Sequence, residues 1–175
     1  MKKARVGVIM GSDSDLAIMK VAADILMELG ILSEVTELSA HRAPTAVSAY
    51  AKSAEKKGFK VIIAGAGVAA HLPGVIAAYT PLPVIGVPIK SSTMAGIDSL
   101  FSIAQMPPGV PVACVAINGA KNAGILAAEI IGAGDAKIRA KLSAYKKKME
   151  KEVLQKAAKI ENHGFKRYME ENGLL

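Results

Sequence analysis

At 175 residues, with 51% hydrophobic side chains, the chain is long enough for one domain with a sizeable core, and disorder is excluded. No apolar stretch reaches the ~18 residues of a membrane span, and "VGVIM" is too short for a signal-peptide core, so no membrane partner and a cytoplasmic location are expected. The net charge of +7 invites a nucleic-acid reading, but residues 135–175 hold 11 Lys/Arg and 6 Asp/Glu interleaved at helical spacing, as on a solvated helix face; with 4% aromatics and no Trp, base stacking is poorly supplied and nucleic acid is not an expected partner.

"RVGVIM" (5–10) is a continuous apolar run, suited to a strand buried on both faces, and it ends in "GSDSD". From Leu16 to Leu29, the residues Ile18, Met19, Ala22, Ile25, Leu26 and Leu29 follow the helical period, and Gly30 stops the helix. "SEVTEL" (33–38) alternates as a weaker second strand and leads into the loop "SAHRAP" (39–44), whose Pro44 suits the first turn of a helix running to about Lys57. "KVIIAG" (60–65) is a third strand with "GAGVAAHLPG" (65–74) as the loop behind it. "PVIGVP" (83–88) and "PVACVAI" (111–117) are the fourth and fifth strands, each followed by a helix, "GIDSLFSIAQM" and "AKNAGILAAEII". Cys114, the only cysteine, lies in the fifth run and reads as a buried structural thiol.

This alternation predicts a three-layer α/β/α fold with a flavodoxin-like parallel sheet in the order 2-1-3-4-5, whose switch point falls between the first and third strands. The segment from about 134 to 171 predicts a long polar helix, broken near Gly164, with an apolar stripe thin enough to need a neighbouring subunit. The whole chain, 1–175, reads as a single domain, with an α/β core at about 4–131 and a C-terminal helical extension.

Ligands of open α/β sheets bind at the strand ends beside the switch point, where the loops 11–15, 39–44 and 65–74 fall. In "GSDSD", Gly11 allows a sharp turn, and Ser hydroxyls with free amides at a helix start make an anion site. An ordinary N-cap needs one such residue rather than four, and two carboxylates beside a phosphate repel it, so at least one suits sugar hydroxyls. In "SAHRAP", Arg42 offers a planar fork for phosphate and His41 a proton carrier at neutral pH. "GAGVAAHLPG" lacks the dinucleotide pattern because position 70 is Ala70, and it has no G-K-[ST] ending; its small residues let a ligand approach the backbone, with His71 the sole titratable group. Three histidines without Cys or carboxylate at ligand spacing make a metal site unexpected, and no G-x-S-x-G occurs.

Taken in order, "GSDSD", "SAHRAP", "GAGVAAHLPG", "GIDSLFSIAQMPPGVPV" and "AKNAGILAA" resemble the catalytic subunit of phosphoribosylaminoimidazole carboxylase from purine biosynthesis, in its N5-carboxyaminoimidazole ribonucleotide mutase form, over roughly residues 4–130. The family usually reads SAHRTP and GAGGAAHLPG where this chain has Ala43 and Val68. The resemblance implies migration of a carboxylate from N5 to C4 through trapped CO2, with His41 as general acid/base and no cofactor. It carries Ser12, Asp15 and Arg42 over as substrate-binding residues, with Ser14 and Ser39 as additions. Arg42 and the serines then suit the 5′-phosphate, and Asp15 the ribose. Gly67 belongs to the same substrate-facing loop, and Ala69, Ala70, His71 and Leu72 enclose the CO2. A homo-octamer acting on a small nucleotide substrate is implied. Direct carboxylation of aminoimidazole ribonucleotide, a carboxylase for another heteroaromatic nucleotide, and a non-catalytic nucleotide-binding module stay open as alternatives.

Overall fold

The computed structural model describes residues 5–174. The first strand, β1 (Arg5–Met10), runs through a 3-10 turn at Asp13–Asp15 into α1 (Leu16–Glu28); β2 (Leu32–Glu37), α2 (Pro44–Ser53), β3 (Phe59–Gly67), α3 (Leu72–Tyr79), β4 (Val84–Ile89), α4 (Ile97–Ala104), β5 (Ala113–Cys114) and α5 (Ala120–Gly134) follow. Helices α6 (Ala136–His163) and α7 (Phe165–Glu171) complete the chain. The five strands form one sheet in the order β2-β1-β3-β4-β5, and every pair is parallel. This is the expected flavodoxin-like arrangement.

Strand residues alternate between the two faces, and each face has its own core. On one, Ile9, Ile62, Ala64, Ala66 and Val84 pack with Val47, Tyr50 and Ala51 of α2, Leu72 and Ile76 of α3, and Ile103 of α4. On the other, α1 lies over β1 and β2 and reaches β3 through Met19, into which a Cβ at Gly65 would run, while α5 lies over β3 and against α1. A Cβ at Gly124 of α5 would collide with Ile25 and come within 2.9 Å of the Ala22 carbonyl oxygen, so glycine sets how closely these helices approach. β4 is buried along its whole length and β2, an edge strand, is not, which matches the continuous and alternating sequence patterns.

Four elements differ from the sequence reading, the first being α2, which stops at Ser53 rather than near Lys57. β3 extends to Gly67 and a helix begins at Leu72, so the expected loop 65–74 shrinks to a few residues. Pro73 and Gly74 read as loop signals, yet Pro73 sits in the first turn, where it forfeits no hydrogen bond, and Gly74 leaves room for the Met106 sulfur. The fifth strand is only two residues long; beyond it the chain follows β4 irregularly, Val115 N–H donating to the Gly86 carbonyl (3.1 Å) and Asn118 N–H to that of Pro88 (2.8 Å). Cys114 is therefore half-buried rather than buried, and what burial it has raises its thiol pKa.

The chain divides into two compact units, one ending at Arg139 and one beginning at Ala140. In the second, the helix breaks at Gly164, as expected, where φ is 79°. Val153, Leu154 and Phe165 there are each more than 60% exposed. Among the described residues no helix is long and apolar enough to cross a membrane.

Candidate active site

A cavity of about 300 Å³ opens at the C-terminal ends of β1, β2 and β3. Its lining comprises Gly11, Ser12, Ser14 and Asp15 after β1, Ser39, Ala40, His41 and Arg42 after β2, Ala66 and Gly67 at the end of β3, and Val68, Ala69, His71 and Leu72 beyond it. It lies at the switch point because consecutive crossovers leave β1 toward β2 on one side and toward β3 on the other.

The first loop is braced from below: Gly11 N–H donates to the Gly65 carbonyl at 3.1 Å. Ser12 is the cap of the 3-10 turn, its Oγ accepting from Ser14 N–H at 3.3 Å. Ser14 Oγ lies 2.9 Å from Ser12 Oγ and 3.3 Å from Asp15 Oδ1, so the three side chains form one hydrogen-bonded row. Asp15 is buried, and burial raises its carboxyl above the ordinary range; the Ser14 and Ser12 hydrogen bonds oppose the shift and the Asp13 charge adds to it.

In the second loop Ser39 shapes the turn, its Oγ accepting from Arg42 N–H at 3.3 Å and its carbonyl from Ala43 N–H at 2.9 Å. Arg42 reaches back across the cavity edge: Nη2 donates to the Gly11 carbonyl at 2.9 Å and lies 3.6 Å from Glu37 Oε1. One arm of the fork is thereby anchored on the loop after β1, while the guanidinium stays largely in solvent.

The third loop brings its histidine to the second. His41 Nε2 lies 2.7 Å from His71 Nδ1, with the rings edge to face at 84°. Such a contact needs a proton on one of the facing nitrogens and a lone pair on the other, so the two imidazoles share a single bridging proton. His71 is itself fixed as the residue preceding α3, its carbonyl accepting from Val75 N–H. The rest of this wall is apolar: Ala66, Ala69, Leu72 and Val68, the last with a φ of 55°.

The fold thus brings together Ser12, Ser14, Asp15, Ser39, His41, Arg42, Gly67, Ala69, His71 and Leu72. Ala70 is the exception: fully buried in the core beneath the loop, it supports the wall without lining it. Gly11, Ala40, Ala66 and Val68 also line the cavity; Gly11 stood out for its turn and Val68 as a departure from the family pattern, while Ala40 and Ala66, small and apolar, carried no chemical signal of their own. Among the described residues no cluster of three or more His, Cys, Asp or Glu is placed to hold a metal ion.

Residues 5–152 match the AIR carboxylase family. The chain belongs to this family. Its similarity to the N5-carboxyaminoimidazole ribonucleotide mutase of Thermotoga maritima is 62% identity over 165 residues, 94% of this chain and 96% of that protein. It is 56% identical over 170 residues to the phosphoribosylaminoimidazole carboxylase of Saccharomyces cerevisiae, covering 97% of this chain but 30% of the yeast protein. The crystal structure of Treponema denticola PurE superposes with a TM-score of 0.83 at 28% identity, covering 90% of this chain and 99% of that one. In this AIR carboxylase family member, three of the five stretches that carry the sequence resemblance are the loops that build the cavity.

Proposed function

We propose that this chain is an N5-carboxyaminoimidazole ribonucleotide mutase, an isomerase of de novo purine biosynthesis. The observation that carries the reading is the His41–His71 contact, a proton-bridged pair set where a polar wall meets an apolar one. Near-full-length similarity to the Thermotoga mutase supports the substrate.

In this mechanism Arg42, Ser12, Ser14 and Ser39 receive the 5′-phosphate, and Asp15 accepts from the ribose hydroxyls. The carbamate C–N bond breaks, its electron pair stays on N5, and N5 takes a proton from His41 to become an amine. The CO2 set free lies against Ala69, Leu72 and His71, over Ala70, where little water can hydrate it. C4 attacks it with the ring's enamine electrons, and the C4 proton returns to His41, so protons and electrons balance without a cofactor. His71 steadies the imidazole between the two transfers through the bridging proton.

The whole chain acts as one functional domain with a helical extension, in the cytoplasm, as a homo-octamer. The exposed Val153, Leu154 and Phe165 support association, since a monomer would leave them in water. Removal of residues from about 150 onward is expected to weaken assembly; a full-length chain that sediments as a monomer would contradict it.

The deciding experiment is incubation with N5-carboxyaminoimidazole ribonucleotide without ATP, metal or added bicarbonate, following the C4 carboxylate. Rapid conversion is expected. Much faster turnover of free aminoimidazole ribonucleotide with CO2 would replace this reading by the carboxylase one, and binding without turnover would leave a nucleotide-binding module.

A further inference from the structure

Val68 stands where neither packing nor backbone preference favours valine. Its φ of 55° lies in the left-handed region, where a branched Cβ crowds the neighbouring carbonyls and glycine is the ordinary occupant. Burial does not offset this, because the side chain is 63% exposed. Among the described residues two other non-glycine residues share a positive φ, Ala95 and Asn118, but neither is branched at Cβ. Strain of this kind persists where the surroundings over-determine it, and it concentrates at functional sites.

The side chain lines the cavity, whose lining also includes Ala66, Ala69 and Leu72 from the same segment and Ser12, Ser14 and Asp15 from the first loop. Exposed and cavity-lining together place it at the rim. A branched side chain is stiff about χ1, so a valine fixed at this backbone angle is a cover of definite shape.

We propose that Val68, at a position where the family usually carries glycine, is a retention residue added in this chain, an apolar rim group that helps keep released CO2 beside C4 until it is captured. This rests on the mutase reading above. CO2 is small, uncharged and a weak hydrogen-bond acceptor, so polar groups hold it poorly and enclosure holds it well. Escape has a definite product: the C–N bond has broken, its electrons remain on the protonated N5 amine, and free aminoimidazole ribonucleotide leaves without its carboxylate. Retention is therefore read as a ratio, C4 carboxylate formed against aminoimidazole ribonucleotide released.

The test compares wild type, Val68→Gly and Val68→Ala on N5-carboxyaminoimidazole ribonucleotide, measuring that ratio and the uptake of label from added 13C-bicarbonate into product. Glycine relieves the strain, so Val68→Gly is expected to unfold at a higher temperature than wild type while performing worse. In both variants the released fraction, corrected for spontaneous loss, should rise by roughly tenfold, the low end of the ~10–200-fold effect of a methylene in an enclosed apolar pocket, because this side chain is partly open to solvent. Label uptake should rise with it. Unchanged ratios in both variants would overturn the proposal. So would a change confined to Val68→Gly, which would implicate loop mobility rather than the isopropyl group. A wild-type chain that cannot convert the substrate at all would overturn the mutase reading itself, and this inference with it.

Discussion

On the β1 side of the cavity the polar groups are held by one another and by the backbone: Ser12 caps its own turn, Ser14 bridges Ser12 and Asp15, and Arg42 is tied to the Gly11 carbonyl. On the β3 side, from Ala66 to Leu72, the only side chain with a polar atom is that of His71. The two walls solve different problems. An anion and a sugar are recognised by fixed donors and acceptors, whose prior organisation lowers the cost of ordering them on binding. In the proposed mechanism a migrating CO2 offers little to recognise, and the second wall would act on it by shape and apolarity. His41 belongs to the polar side by sequence and reaches the other through His71.

The contrast predicts that changes on the first wall move binding and changes at the junction move chemistry. His41→Asn should fold, bind nucleotide and lose about 10²–10⁴-fold in turnover, the usual worth of a general acid–base group. His71→Asn should lose less, and steady-state kinetics of the two side by side would reverse the assignment if the order were inverted. Arg42→Ala should weaken substrate binding by about 2 kcal/mol, the low end of the range for truncating one partner of a charged pair, since its guanidinium is largely in solvent. Titration calorimetry would read this, with Arg42→Lys recovering only part because it lacks the fork.

Smaller effects test how the polar wall is supported. Gly124→Ala drives a methyl into Ile25 and toward the Ala22 carbonyl, and should cost about 1–3 kcal/mol of stability, as overpacking does, measured by denaturant unfolding. Because α1 carries the Ser12–Asp15 row at its start, KM should suffer more than kcat; the reverse would show that the walls are not mechanically separate. Asp15→Asn gives the smallest change and an opposite sign. A carboxyl whose folded pKa is raised by burial contributes stability at acid pH that is lost as pH rises through that pKa. The variant should therefore match wild type in strong acid and unfold at a higher temperature near neutrality, while binding substrate less well. A variant less stable than wild type at neutral pH would show that the carboxylate's hydrogen bonds outweigh its burial.

Much of this was legible because apolar period and loop chemistry agree. Continuous runs at β1, β3 and β4 mark strands buried on both faces, and the crossover rules then bring the three loops to one sheet edge. The boundary of α3 was hidden because Pro73 and Gly74 carry loop signals locally, and only packing against Met106 shows why the glycine suits a helix. The shortness of β5 was hidden for a related reason: an apolar run records burial preference but not the register of hydrogen bonds. Neither the His41–His71 contact nor the anchoring of Arg42 on Gly11 could be read beforehand. Each joins residues about 30 positions apart, at distances fixed by strand register and not by any local pattern.

Because the strand order is β2-β1-β3, the loops bearing His41 and His71 belong to strands separated by β1, roughly 10 Å apart at the usual interstrand spacing. The bridging proton therefore spans the end of a third strand that must already be in place. A chain in which β2 and β3 have formed but β1 has not inserted between them has both histidines and no pair. In refolding, recovery of turnover should trail the recovery of helix signal, since it reports closure of the sheet around its central, most sequence-distant pairing.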